Sequence, residues 1–137
     1  MALVKGGLGD DYMSWLGDWR DNIKAGLTTW AEEPNTTTTR SDCHAWGSSP
    51  NIEFFRTILG VDSDAPGFEK IKVEPHLGTM TKASGEVPHP NGKVIVDYAL
   101  ENGKLKAKIN LPKNTSGSFI WKGKKFVLKA GENSLVI

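Results

Sequence analysis

The sequence predicts an α+β chain in which a short helical segment is followed by an antiparallel β-sandwich. Before residue 62, apolar residues recur every three or four positions in two stretches. After residue 62, apolar and polar residues alternate, and Asn-Gly and Lys-Gly turn signals separate the alternating runs. Four of the five tryptophans also lie before residue 47. We therefore expect a boundary near residue 62, with residues 1–62 mainly helical and residues 63–137 a sandwich.

The first predicted helix covers residues 11–24. Its apolar residues fall on one face and are Tyr12, Trp15, Leu16, Trp19 and Ile23. Asp10 and Asp11 stand at its start, where carboxylates interact favourably with the helix dipole. Gly26 follows its end, and glycine commonly terminates a helix because it tolerates a positive φ.

A second helix is predicted over residues 44–59. The apolar face of this helix consists of Ile52, Phe55, Ile58 and Leu59. Pro50 marks either its first turn or a kink, because proline lacks the N–H that a helix interior needs. Gly60 is the expected stop signal.

Six alternating runs in the second half predict strands. Their apolar members are Ile71 and Val73, then Val94, Val96 and Tyr98, then Leu105, Ala107 and Ile109, then Phe119 and Trp121, then Phe126 and Leu128, and finally Leu135 and Ile137. Asn102-Gly103, between two such runs, is the strongest hairpin signal. Six or seven short strands at this spacing are typical of an antiparallel sandwich with one solvated face per sheet.

Composition excludes several classes of function. Lys+Arg is 17 and Asp+Glu is 16, and a net charge of +1 gives no general electrostatic attraction to nucleic acid. No apolar run reaches the roughly 18 residues that a membrane helix needs, so neither nucleic acid nor membrane is an expected partner. Cys43 is the sole cysteine, which excludes an internal disulfide and a zinc site of several thiolates. We expect no metal and no cofactor.

Residues 26–50 hold the candidate chemistry, around a loop that Pro34 and threonines 36–39 predict over residues 31–43. The polar and aromatic side chains concentrated here are Trp30, Glu32, Glu33, Arg40, Asp42, Cys43, His44 and Trp46. Carboxylates beside indoles suit a sugar site, because a carboxylate can activate water or protonate a leaving oxygen. Plainer interpretations stay open: Glu32 and Glu33 as a solvated helix end, and Asp42 with His44 as a loop hydrogen-bond pair.

Two motifs in this region resemble a known family. The segments GLTTWAEE and RSDCHAWGSSP, followed by a helix ending in ILGV, resemble the end of the catalytic domain of bacterial α-L-rhamnosidases, glycoside hydrolase family 78. The resemblance implies that residues 1–62 are the last helices of an incomplete (α/α)6 catalytic barrel. It also implies a C-terminal antiparallel β-sandwich domain over residues 63–137.

The resemblance implies inverting hydrolysis of terminal α-L-rhamnosides, with L-rhamnose-containing glycosides or polysaccharides as substrates. Glu32 matches the family's general base, which follows a Thr-Thr pair, as it follows Thr28-Thr29 here. His44 and Trp46 match residues that bind the sugar, and Asp42 and Trp30 are weaker matches. The family's general acid lies on earlier barrel helices, and no residue here matches it. The chain is thus expected to be the C-terminal piece of a longer enzyme, inactive without the rest of its catalytic domain.

Two other functions stay open, namely a carbohydrate-binding sandwich and a structural or assembly module. The first needs exposed aromatic residues on a sheet face, but Trp121 alternates with Phe119 and is predicted to be core. The apolar helix faces predict that the isolated chain forms a homodimer through residues 11–59, unless they pack on the chain's own sandwich. The N-terminus lacks the apolar core of a signal peptide, and the compartment stays open, including a periplasmic or extracellular one for the parent.

Overall fold

A computed structural model describes residues 2–35 and 37–137; Thr36, in the predicted loop, lies outside the described residues. The strands are β1 (Val61–Ser63), β2 (Lys70–Val73), β3 (Lys82–His89), β4 (Gly92–Glu101), β5 (Lys104–Trp121) and β6 (Lys124–Val136). The helical segments are α1 (Ala2–Lys5), a 3-10 helix (Gly9–Trp15), α2 (Gly17–Lys24), a second 3-10 helix (Ala45–Ser48), α3 (Ser49–Glu53), a π-helical turn (Phe54–Ile58) and a third 3-10 helix (Pro66–Phe68). The described chain is therefore mostly β-sheet with a few short helices.

All six strands belong to one sheet, in the order β1-β2-β5-β4-β3, and β6 pairs with β5. The long strands β5 and β6 shift register between Leu111 and Ser116. Before this bulge β5 lies antiparallel to β4, and after it residues 116–119 of β5 lie parallel to β2. The bulge thus lets one strand serve two parts of a curled sheet.

The inward-facing residues from both parts of the sheet form one core. The fully buried members include Ile71, Val73, Val94, Val96, Tyr98, Leu105, Ile109, Phe119 and Leu128. The rings of Tyr98 on β4 and Phe119 near the end of β5 lie 6.3 Å apart, across the interior. The predicted inward faces of these strands are therefore confirmed, because alternation along a strand places every second side chain on the same side.

The predicted sandwich is confirmed only in part, because the structure has one continuous sheet with a parallel pair. Lys113-Asn114 is not a hairpin turn: Asn114 has φ 60° within the bulge, so two predicted strands are one, β5. Strand β3 was not predicted, since Gly85 and Pro88 interrupt its alternation. The Asn102-Gly103 hairpin is confirmed, with φ 51° and 74°.

The predicted helices are shorter and less regular than their periodicity suggests, and no helix of the described residues exceeds eight residues. The helix predicted over 11–24 begins as a 3-10 helix and becomes α-helical only at Gly17. A 3-10 helix has three residues per turn, so the phase of the apolar face changes, and Trp15 is 60% exposed. The helix predicted over 44–59 is likewise divided into 3-10, α and π segments. Residues 2–35 and 37–137 therefore contain no long helix of the kind that a barrel would require.

The helical segment packs on the sheet through a small second cluster. Tyr12, Leu16 and Ile58 are buried together, against Met80 and Ala83. Nearby, the buried hydroxyl of Tyr98 donates a 2.9 Å hydrogen bond to the carbonyl of Leu59, and burial raises the pKa of this phenol. The helical segment therefore packs against the chain's own β-domain.

Several apolar side chains of the helical segment stay exposed, namely Leu8, Trp15, Ile23, Trp46, Ile52 and Phe54. Only Trp15, Ile23 and Ile52 of these belong to the predicted helix faces, so the exposed apolar surface is smaller than expected, and the dimer stays a prediction. In the described part of the chain, the helices are all too short to cross a bilayer.

Gly60 is expected to be essential for joining the helices to the sheet. Its φ is 73°, and a Cβ there would stand 2.1 Å from the backbone carbon of Glu74. Gly60→Ala should therefore cost clearly more free energy of unfolding than the roughly 1–2 kcal/mol of a left-handed alanine alone. Gly103→Ala is the matched control, since φ is 74° there but no atom lies within 4 Å. Equal losses in urea unfolding for the two variants would contradict the steric argument.

Candidate functional site

The site is built on the connection between α2 and the second 3-10 helix, which has no helix or strand in its described part. Two backbone hydrogen bonds close it, from Glu32 N to Ser41 O (2.9 Å) and from His44 N to Trp30 O (2.9 Å). The hydroxyl of Thr29 adds a bond to the carbonyl of Asp42. Residues 29–32 are thus held beside residues 41–44, which brings Glu32 and His44 together.

Glu32 is the most covered ionisable group of this loop. Its side chain is only 8% exposed. Arg40 binds both carboxylate oxygens: Nε donates to Oε2 at 3.0 Å and an Nη2 N–H donates to Oε1. His44 Nε2 lies 3.8 Å from Oε1. The hydrogen bond from Arg40 lowers the pKa of Glu32, burial opposes this, and the charges of Arg40 and His44 lower it further.

Two tryptophans fix the neighbouring backbone. Trp46 Nε1 donates to the carbonyl of Glu32 at 3.1 Å, and Trp19 Nε1 donates to the carbonyl of Gly47 at 2.6 Å. A Cβ on Gly47 would stand 2.8 Å from the carbonyl of Ala31, so only glycine permits this approach. The rings of His44 and Trp46 lie 4.2 Å apart. The indole of Trp46 is 62% exposed and offers an apolar surface next to the backbone of Glu32.

A shallow cleft of about 180 Å³ opens next to Glu32. Its lining residues are Asp18, Trp19, Asn22, Ala31, Glu32, Glu33, Pro34, Trp46 and Gly47. Asn22 is buried, and its Oδ1 has no hydrogen-bond partner among the described residues. The cleft is smaller than the roughly 300–1,000 Å³ of ordinary ligand pockets. Within residues 2–35 and 37–137, no three His, Cys, Asp or Glu side chains gather as a metal site would require.

The structure brings some of the predicted site residues together and separates others. Glu32, His44 and Trp46 are in mutual contact. Trp30 is half-buried and lines a different depression, whose lining also includes Cys43 and His44. Asp42 is exposed and takes part through its backbone carbonyl. His44 Nδ1 is buried and has no hydrogen-bond partner within the described ranges.

The sequence patterns do not single out Arg40, which binds Glu32, or Trp19 and Asn22, which line the cleft. The spacing of Trp19 and Asn22, three residues apart on α2, does place both on one face. No periodicity, however, indicates how an irregular loop closes. The interpretation of Glu32 and Glu33 as a helix end is wrong, because no helix of the described residues includes either one.

Comparison with solved structures identifies the class of fold. The chain matches the native alpha-L-rhamnosidase of Aspergillus terreus with a TM-score of 0.81 and 18% identity, over 98% of this chain and 18% of that one. It matches the Streptomyces avermitilis alpha-L-rhamnosidase complexed with L-rhamnose with a TM-score of 0.75 and 17% identity, over 87% and 14% of the two chains. At these identities the likeness establishes the fold: a β-domain preceded by short helices, as found within alpha-L-rhamnosidase structures.

Sequence comparison gives the family. Residues 60–132 match the bacterial alpha-L-rhamnosidase C-terminal domain. Curated relatives include an alpha-L-rhamnosidase of Alteromonas sp. (strain LOR), 31% identical over 68 residues, and one of Formosa agariphila, 28% identical over 106 residues. The matches cover 49% and 72% of this chain but only 7% and 11% of those relatives. This chain belongs to the bacterial alpha-L-rhamnosidase C-terminal domain family.

Proposed function

We propose that this chain supplies the general base of an alpha-L-rhamnosidase that hydrolyses terminal α-L-rhamnosides with inversion. The observation that carries the proposal is Glu32, a covered carboxylate held by Arg40 beside His44 and Trp46. The hydrogen bond from Arg40 lowers the pKa of Glu32, which favours the ionised form that a base needs. Family membership supports the substrate class, since the relatives are named alpha-L-rhamnosidases.

In this proposal Glu32 takes a proton from the water that attacks the anomeric carbon. An inverting glycosidase needs a second carboxyl group roughly 6.5–9.5 Å away, which protonates the leaving oxygen. That group comes from the rest of the parent catalytic domain, on helices that precede residues 1–62. His44 donates a hydrogen bond to a ring hydroxyl, and Trp46, with Trp30 as a weaker candidate, faces the apolar side of the sugar.

The proposed division of the chain follows from the same role. Residues 1–62 complete the catalytic domain, and residues 63–137 form a β-domain that supports them. Tyr12, Leu16 and Ile58 pack on the β-domain, which supports this arrangement. The exposed apolar residues of the helical segment then contact the rest of the parent or, in the isolated chain, a second copy.

The isolated chain is expected to release no rhamnose from an aryl α-L-rhamnoside, whereas the parent enzyme should release β-L-rhamnose first. Both expectations follow from a mechanism with two carboxyl groups, of which this chain holds one. Proton NMR of the anomeric signal during early turnover measures the second. Glu32-dependent hydrolysis by the isolated chain, or α-L-rhamnose as the first product, would overturn the proposal.

A carbohydrate-binding sandwich is the second candidate, and it has less support. Trp121 is partly buried and packs against the core, with Lys122 Nζ 5.5 Å from its ring centre. An indole in that position offers little surface for a sugar, so the loop around Glu32 stays the better candidate site.

A further inference from the structure

Arg40 and Glu32 form an ion pair whose two side chains differ widely in solvent exposure. The arginine side chain is 79% exposed and the carboxylate side chain 8%. Arg40 therefore reaches from the solvent side and is part of what covers the carboxylate of Glu32. The bond from Glu32 N to Ser41 O at 2.9 Å places the two residues on adjacent loop arms.

We propose that Arg40 is the positioning residue of Glu32, fixing the plane of its carboxylate toward the cleft. The inference rests on the proposed role of Glu32 as general base. A guanidinium that binds both oxygens of one carboxylate sets its rotation, which a single point charge does not. Each carboxylate oxygen has two acceptor positions, so one remains on each for water.

Other charged groups around Glu32 do not replace Arg40. His44 Nε2 is 3.8 Å from Oε1, beyond hydrogen-bond distance. Glu33 adds negative charge next to Arg40, and Asp18 lines the same cleft from α2. The hydrogen bond from Arg40 is the largest influence that lowers the pKa of Glu32. Removing it raises this pKa, so that the carboxylate loses its charge at a higher pH than in the wild type.

The first test uses this chain and needs no activity. The carboxyl ¹³C signal of Glu32, assigned by its absence in Glu32→Gln, is titrated with pH in the wild type and in Arg40→Gln. We expect a higher midpoint in Arg40→Gln and an unchanged one in Arg20→Gln, a control that removes the same charge from an exposed arginine on α2. An unchanged midpoint in a folded Arg40→Gln would overturn the proposal. Should that variant unfold, the same comparison is made with Arg40→Lys, where a small upward shift is expected.

The second test uses the parent enzyme. Arg40→Gln should lower kcat by about 10- to 100-fold, as expected for a misplaced catalytic group, with KM little changed. The acid limb of its kcat/KM profile should move to higher pH, because the base must be deprotonated. In Arg40→Lys the acid limb should return close to its wild-type pH, because lysine also carries a positive charge. Its kcat should recover less, because lysine lacks the planar guanidinium that binds both carboxylate oxygens.

The two proposals can fail separately. If Glu32→Gln is inactive but Arg40→Gln keeps the wild-type kcat and pH profile, Arg40 has no positioning role and Glu32 is still the base. If Glu32→Gln keeps its activity, the proposed base is wrong and with it the catalytic role of Arg40, whatever the titration shows.

Discussion

In the parent enzyme, Glu32→Gln is expected to lower kcat on an aryl α-L-rhamnoside by about 10² to 10⁴, while substrate binding survives. Glutamine keeps the size of the side chain but cannot accept the proton from the attacking water. The contact with Arg40 is also weakened, because the carboxylate charge is lost. Steady-state kinetics with a competition-binding assay separate the loss of turnover from any loss of affinity.

Glu33→Gln is the matched control for this experiment. It removes the same charge one residue away, from a side chain that is exposed. Its kcat should stay within a few-fold of the wild type, since Glu33 contributes to the wall of the cleft rather than to the ion pair. If Glu33→Gln is the inactive variant and Glu32→Gln the active one, the match to the family motif is displaced by one residue.

Phe119→Ala is expected to lower the free energy of unfolding by about 3–5 kcal/mol, the largest effect on stability that we predict. Phe119 has no exposed surface, and its ring lies 6.3 Å from both Tyr98 and Phe126. The cavity left by the ring would lie where β5, after its bulge, faces β4 across the core. Urea unfolding followed by tryptophan fluorescence measures the loss.

Val127→Ala on the neighbouring strand is the control for Phe119→Ala. Val127 is 79% exposed, so truncating it should change the free energy of unfolding by less than about 0.5 kcal/mol. Similar losses of unfolding free energy in the two variants would mean that the buried Phe119 stabilises the fold no more than the exposed Val127 does. A small loss for Phe119→Ala alone would indicate that the curled sheet collapses readily around the missing ring.

The fold was predictable wherever a regular period extends over one element. Val94, Val96 and Tyr98 alternate without interruption, and the structure buries all three. The first helix was less predictable, because Tyr12 and Leu16 pack on the β-domain while Trp15 turns outward. Local periodicity does not distinguish an α-helix from a 3-10 helix when contacts with another element decide the geometry.

The candidate site was predictable in its composition but not in its connections. The Thr-Thr pair before Glu32 and the His-Ala-Trp motif indicated three residues that do meet. The same reasoning did not separate Arg40 from the other charged residues of the loop. Nor did it indicate that Asp42 takes part through its backbone carbonyl or that Trp30 lines a second depression. The ion pair needs two arms of the loop to lie side by side, and their pairing depends on the backbone bonds from Glu32 to Ser41 and from His44 to Trp30.

By itself, the sequence determined the inward faces of most strands, the turn at Asn102-Gly103 and the chemical character of the loop. These depend on neighbouring residues, whose side-chain period and backbone preferences act locally. Only the tertiary structure decided that β5 passes a bulge to join two parts of one sheet, and that Arg40 binds Glu32. The first depends on pairing between strands far apart in the chain, and the second on the backbone bonds that close the loop, so the side-chain period of a single segment indicates neither.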